Sequence, residues 1–450
     1  MNSHILTAFL VSSAGFAGIW SAAASARAQQ AAVSLTLQGA IHRALEANLS
    51  VLEARTQTGE DQGSEERAQA ALLPHVTAQT YANYQNRNLR AFGISVPGLP
   101  LPNVVGPFSN YDFRIYAQQS VLDLAGYRAW KVSRLELGAD KLSEQDARDF
   151  IVEAVASLYL NAQSAQARAQ AAESRVTDST ALLKLARDRH DAGTATGVDV
   201  LRAQVQLAND RQALLEDQNE YKQALLQLAR NIGISPGTPL DLAEPLRYQA
   251  LDVQAPGELV ATALASRADY QSLAAQRVAL VEQQRANRAR FYPKISVNGN
   301  IGELGRSIGG VDTTGLLQGQ IDFTIFDRDR EGEAQQLAAR LNRIDDQIAD
   351  MRLGVDEDVR AALLNLESAT QQVQVAADGQ ELARRELDEA QDRFKAGTAN
   401  NVEVITAQDE LARAEENSIL AVSSHVNAKY ALARALGDTG RNIVKFAGNQ

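Results

Sequence analysis

Cysteine is absent from this chain. That removes disulfide frameworks and thiolate metal sites, and no cysteine-borne lipid anchor is expected. Histidine is sparse and scattered: His4, His42, His75, His190 and His425 stand singly, without the spacing of a ligand cluster. Positive charge is in deficit, with a net −11 at neutral pH, which speaks against a nucleic-acid partner. Metallopeptidase, serine-hydrolase and phosphate-loop signatures are missing, so no catalytic group and no cofactor are expected. Asp356-Glu357-Asp358 reads as a solvated helix face rather than a cation site.

Long apolar runs are missing too, with one exception. Ile5 to Trp20 is apolar and rich in small residues, and Ala24-Ser25-Ala26 or Ala26-Arg27-Ala28 fits a cleavage site. Residues 1–28 therefore read as a secretory signal peptide, although Lys and Arg are absent ahead of the apolar run. A secreted chain without spanning helices enters a membrane only as part of a closed β-barrel.

Proline is rare and unevenly placed. None occurs from Phe108 to Ser235 or from Lys294 to the end, and four of the ten lie in Gly233–Pro256. Those gaps leave room for long helices, and the cluster reads as a linker, 234–256.

What is present is a duplication. DRHDAGTATGVDVLRAQ, from Asp188 to Gln204, is written again as DRFKAGTANNVEVITAQ, from Asp392 to Gln408. Gly193 and Gly397 stand where a helix end takes positive φ. Thr196 and Asn400 follow as N-caps, with Asp199 and Glu403 three residues on, as in a capping box. Each copy reads as the bend of an antiparallel helical hairpin, at 191–199 and 395–403.

The halves, 29–233 and 257–437 with a tail 438–450, share one order. Helical patterns from Leu35 to about Leu72 and from Leu259 to Tyr292 stop at Pro74 and Pro293. The apolar period then switches from 3.6 to 2. Val76, Ala78, Thr80, Ala82 and Tyr84 share one face; so do Phe113, Ile115 and Ala117, then Ile295, Val297 and Ile301, then Leu317, Ile321 and Phe323. Polar residues fill the alternate positions. Four strands follow, about 75–88, 111–122, 294–303 and 316–326, of the length that a tilted membrane strand needs. Asn88–Asn110 and Glu303–Gly315 read as hairpin loops. Of the 24 aromatic residues, 13 gather in Tyr81–Trp130 and Phe291–Phe326. Tyr127, Trp130, Phe291 and Tyr292 fall at strand bases, where an interfacial girdle lies.

Long helices come next. Ile151, Val155, Leu158, Ala162, Ala165, Ala169, Ala172, Val176, Ser179, Leu183 and Ala186 keep a 4,3 spacing, repeated from Val355 to Ala390. A sustained 3.5-residue period predicts a coiled-coil seam. Return helices are expected at about Val198–Ile232 and Val402–Leu436. Four amphipathic strands cannot close a barrel alone, so other chains must cover their edges. Acids gathered at the bends of several chains would form rings that bind cations and reject anions.

The doubled bend, the helix–strand–strand–long helix order and the junctions Val121-Leu122-Asp123 and Ile325-Phe326-Asp327 resemble the TolC-like outer membrane efflux proteins. The resemblance implies a mainly α protein with membrane β, two tandem repeats assembling as a homotrimer. Three chains would make a 12-stranded β-barrel in the outer membrane of a Gram-negative bacterium and an α-helical tunnel across the periplasm. It implies a passive exit duct of a tripartite efflux or type I secretion system. Partners would be outer-membrane lipid, a periplasmic adaptor (membrane fusion) protein and an inner-membrane pump of RND, ABC or MFS type. The adaptor-docking bend would comprise Gly193, Thr194, Val198, Leu201, Gly397, Thr398, Val402 and Ile405, and Asp199 and Glu403 would stand at the pore entrance. Thr406 takes the position of a second entrance acid, so a single ring is implied. Phe394 and Ala399 take the positions of the latch partners of Asp199, so that latch is not expected. The competing reading is a soluble periplasmic coiled-coil scaffold or adaptor.

Overall fold

The computed structural model describes residues 33–93, 102–251 and 255–439. The expected signal peptide and most of the expected C-terminal tail lie outside the described residues. Among the described residues, no helix is long and apolar enough to cross a membrane.

Each half begins with a broken helix rather than the continuous one expected from the sequence. A short strand β1 (Val33–Leu35) leads into α1 (Leu37–Ala47) and α2 (Leu49–Ala70). The break falls at Asn48, whose extended backbone ends α1 and whose Oδ1 accepts from Ser50 N to start α2. Its Nδ2 donates 183 residues away to the Asn231 carbonyl, at 3.2 Å. The break thus docks the first helix pair on the end of a distant return helix. Gly233, at φ 69°, lies so close to Ala47 that a Cβ there would clash with it.

Two strands follow, β2 (His75–Asn88) and β3 (Val104–Leu122), then the 68-residue helix α3 (Leu124–Asp191) and the return helix α4 (Gly197–Asn231). The linker holds a strand the sequence reading did not anticipate: β4 (Leu240–Leu242) pairs in parallel with β1. The second half repeats the order with α5 (Pro256–Ser266), α6 (Ala268–Ala289), β5 (Lys294–Ser307), β6 (Gly310–Asp322), the 67-residue α7 (Asp329–Lys395) and α8 (Asn401–Ala435). Arg267 sits at the α5–α6 break and pairs with Asp269 and Asp358, both at 2.7 Å.

Three strands differ in extent from the sequence pattern. β3 begins earlier, at Val104, and β5 and β6 run to a tight turn at Ser307–Gly310. Glycines in that stretch hid the continuing ladder, since they carry no side chain to alternate. β6 ends at Asp322, so Phe323 to Phe326, expected as strand, lie beyond it.

The sheet has the order β2-β3-β5-β6 and every neighbour is antiparallel. Its central pair joins the two halves, with Ile115 opposite Ile301. On β3 the apolar side chains face out, Phe113 being 53% and Ile115 42% exposed, while Asp112 on the opposite face is buried. Asp112 there accepts from Tyr81 Oη and pairs with Arg114 Nε at 3.1 Å. The sheet therefore turns its oily face outward, the reverse of a water-soluble sheet. No helix covers that face among the described residues, and β2 and β6 are open edges.

Below the sheet, the wall continues in the same order. Helix α3 packs between α2 and α6, and α6 packs on α7. At 1.5 Å per residue, α3 and α7 each run about 100 Å. The seam expected from the 4,3 spacing is buried at Ile151, Val155, Ala162, Ala165, Ala172, Ser179, Leu183 and Ala186. In α7 it is buried at Val355, Val359, Ala362, Leu366, Ala369, Val373, Ala383, Leu387 and Ala390. The pairs α3–α4 and α7–α8 are antiparallel hairpins whose far ends share one apolar cluster, including Leu183, Leu207, Leu387, Phe394 and Val404.

Candidate functional site

That cluster carries the two bends. In the first, α3 ends at Asp191 and Gly193 takes φ 76°. Thr194 returns both its N–H and its hydroxyl to the Arg189 carbonyl, at 2.9 and 3.1 Å. The second bend repeats this: Gly397 takes φ 79°, and Thr398 donates twice to the Arg393 carbonyl. Ala-Gly-Thr is therefore one device used twice, glycine reversing the chain and threonine closing the orphan carbonyls of the helix end.

The exits differ. Thr196 and Asp199 form a reciprocal capping box: Thr196 Oγ1 accepts from Asp199 N, and Asp199 Oδ2 accepts from Thr196 N at 3.0 Å. The Thr196 hydroxyl on its oxygen holds the Asp199 carboxyl below the usual aspartate range. Burial opposes this, and Arg202 and Arg189 add to it. In the second bend only half the box forms. Asn400 Oδ1 accepts from Val402 N and Glu403 N, but Glu403 reaches away to Arg393 Nη1 at 3.0 Å. The capping role expected for Glu403 is thus replaced by an ion pair, because Arg393 sits within reach where the first bend has its Arg189 engaged elsewhere.

Arg189 crosses to the other hairpin. Its guanidinium lies over the Phe394 ring, 4.7 Å from the centroid, and its Nη1 donates to the Phe394 carbonyl. Asn401, fully buried, donates through Nδ2 to the Asp199 carbonyl at 2.7 Å. Farther along, Gln206 Nε2 donates to Asp409 Oδ1 at 3.1 Å and to Asp210 Oδ1 at 3.3 Å. These three contacts were not anticipated from the sequence. Phe394 and Asn401 each occupy a position where the other repeat has a different residue, and that asymmetry was the available signal.

The structure brings both bends to one end of the molecule. Val198, Leu201 and Val402 are exposed there, at 53, 61 and 40%. Ile405 is half-buried against the shared cluster. Gly193, Thr194, Gly397 and Thr398 are exposed, while Asp199 and Glu403 are partly covered by their own partners. Among the described residues no group of acids and histidines is arranged to hold a metal ion.

Residues 40–234 and 259–438 match the outer membrane efflux protein family, so both repeats are covered. The pyoverdine export outer membrane protein OpmQ of Pseudomonas aeruginosa is 24% identical over 409 residues, 89% of this chain and 85% of its own length. The probable efflux pump outer membrane protein TtgC of Pseudomonas putida is 26% identical over 74% of this chain and 70% of its own. Solved structures share the fold. The outer membrane protein VceC of Vibrio cholerae superposes with a TM-score of 0.73 at 19% identity, covering 89% of this chain and 96% of that one. The Campylobacter jejuni CmeC outer membrane channel gives 0.72 at 15%, covering 92 and 89%. With its outward oily sheet, its paired coiled coils and both repeats matched, this chain belongs to the outer membrane efflux protein family.

Proposed function

We propose that the chain is the passive outer-membrane duct of a tripartite export assembly. Three copies would join β2 and β6 edges into a 12-stranded barrel and set the helical wall side by side as a tunnel. The observation that carries this is the sheet: its apolar face is exposed and both edges are open, and only lipid and further copies of the chain satisfy both. Transport then needs no catalytic group, because the pump partner supplies the energy.

The bends would form the far mouth of the tunnel. Val198, Leu201, Val402 and Ile405, presented around two identical Ala-Gly-Thr turns, suit a helical hairpin from an adaptor protein, which buries apolar side chains at repeated spacing. Glu403, brought together from three chains, would give an acidic ring at the entrance. Arg393 beside it would temper that charge. The competing reading as a soluble scaffold conflicts with the outward apolar face and with the family to which the chain belongs. The test is purification followed by planar-bilayer recording. A trimer that needs detergent and forms conducting pores supports the proposal. A monomer stable in plain buffer and silent in bilayers removes it.

A further inference from the structure

A cluster of cations lies on the helical wall just beneath the sheet. Glu282 of α6 is buried at 2% exposure and receives three of them: Arg128 Nη1 at 2.6 Å, Arg285 Nη1 at 3.0 Å and Lys131 Nζ at 3.5 Å. Burial works to raise the Glu282 carboxyl, yet the bonds from Arg285 and Arg128 and the charge of Lys131 hold it below the ordinary range. One carboxylate cannot neutralise three cations, and each cation stays partly exposed, at 31, 55 and 45% for the Arg128, Arg285 and Lys131 side chains.

The surroundings add charge of the same sign. Residues 124–135 of α3 carry Arg128, Lys131 and Arg134 and no acid; residues 283–290, the end of α6 and its C-cap, carry Arg285, Arg288 and Arg290 and no acid. Arg290 is taken by Asp327, Asp329 and Glu333. Glu65 is held by Trp130 Nε1, at 2.5 Å. Glu136, Asp140 and Asp61 face one another farther from the sheet.

Aromatic rings share the cationic face. Tyr127, 49% exposed, packs on Trp130 with centroids 5.7 Å apart, and Arg134 lies over the Trp130 ring. Tyr127, Lys131 and Arg134 recur at helical spacing, so they line one stripe of α3. At 1.5 Å per residue, Tyr127 to Lys131 lie roughly 6–12 Å past Asp123, the N-cap that follows β3, which is headgroup depth for a bilayer whose hydrocarbon ends at the strand base. The stripe is also central: α3 and α6 lie between α2 and α7, away from the open edges that a second copy would cover.

We propose that Arg128, Lys131 and Arg285 form a binding site for the phosphate diester of a phospholipid in the periplasmic leaflet, with Tyr127 and Trp130 against its glycerol and upper acyl chain. The site rests on the sheet being inserted in the membrane. Glu282 fixes the three cations in place, and their uncompensated charge is what an anionic headgroup satisfies.

The double substitution Lys131→Gln, Arg285→Gln tests this, because Arg128 still satisfies Glu282 and the fold is kept. Full-length protein in detergent is titrated with phosphatidylglycerol and read by native mass spectrometry. Two basic groups each contributing about fivefold predict that the variant binds this lipid at least tenfold more weakly. Inorganic phosphate at equal concentration does not displace the lipid from the wild type. Lys131→Gln alone, which leaves Glu282 two guanidinium partners, gives about a fivefold loss should the double variant not fold. Equal lipid retention in wild type and a conducting variant overturns the site while leaving the channel reading intact. Competition by inorganic phosphate overturns the lipid as its ligand.

Discussion

Arg189 stacks on Phe394 and donates to its carbonyl, joining the ends of two hairpins that are 205 residues apart in sequence. Each repeat alone offers an ordinary helical turn; only their meeting gives the tip a shared, partly charged core. Replacing Arg189 by Ala removes a cation–π contact and a charge-assisted bond, together about 2–3 kcal/mol of local stabilisation. Amide exchange is expected to rise in 188–199 and 393–403 while the melting temperature of the whole protein changes little. Unchanged exchange at both bends would show that the contact is dispensable.

The two glycines carry the same left-handed turn. Both hold positive φ, but a Cβ on Gly193 meets open space, whereas one on Gly397 comes within 3.4 Å of Arg189 Nη2. Gly193→Ala is expected to cost about 1 kcal/mol, the left-handed penalty alone. Gly397→Ala is expected to cost about the same, since 3.4 Å from the far end of a flexible side chain is ordinary contact. Export by a Gly397→Val variant is expected to fail while trimer and conductance persist. Complementation of an export-deficient strain reads this, and full complementation would count against docking at the bend.

Acid sensitivity is expected at the first bend. The Asp199 carboxyl, held low chiefly by the Thr196 hydroxyl, binds its proton more weakly when folded than when unfolded. Its contribution is therefore complete above about pH 4, the unfolded value, and fades as pH falls through the lower folded value. Thr196→Ala removes the cap and should cost about 1 kcal/mol at neutral pH. Protease cleavage at 191–199, followed from pH 7 to pH 3, reads both effects; cleavage unaffected by Thr196→Ala would contradict the capping account.

A second pH dependence sits far from the tip. His425 is buried, packs on Tyr248 at a tilt with centroids 4.7 Å apart and lies within 3.1 Å of the Gln249 carbonyl. Burial lowers its pKa, the Gln249 carbonyl opposing and the neighbouring Lys429 adding to the effect. The unfolded chain takes up this proton first, so stability falls as pH drops below about 6.5 and continues to fall down to the folded value. His425→Gln should flatten that slope in a melting series. Lys429, 2% exposed, donates to Gln249 O at 3.3 Å. Lys429→Met is expected to be neutral or stabilising by about 1 kcal/mol, since no carboxylate among the described residues repays the burial of its charge. A large loss of stability would contradict this.

The sequence showed most where chemistry repeats. Gly193 and Gly397, the 4,3 seam from Ile151 to Ala186, and the alternation through Phe113 and Ile115 are local signals, each set by backbone geometry. The breaks at Asn48 and Arg267 were not legible, because the apolar stripe continues through them and the tertiary partners that help to fix the kink, Asn231 and Asp358, lie far away in sequence. β4 was hidden for the same reason: three residues pair with β1 across some 200 residues of chain. At the tip the bends were readable and their joining was not. Arg189, Phe394 and Asn401 look like ordinary helix residues until the two hairpins are placed side by side.

The lack of cysteine makes the central claim directly measurable. Single cysteines at residues 295 to 301 of β5, spin-labelled in the reconstituted protein, report whether lipid or water surrounds each position. Labels at Ile295, Val297 and Ile301 should be reached by oxygen and shielded from a water-soluble nickel chelate; labels at Ser296, Asn298 and Asn300 should show the opposite. Equal access of the chelate to both sets would contradict a sheet with lipid on one face and a water-filled lumen on the other.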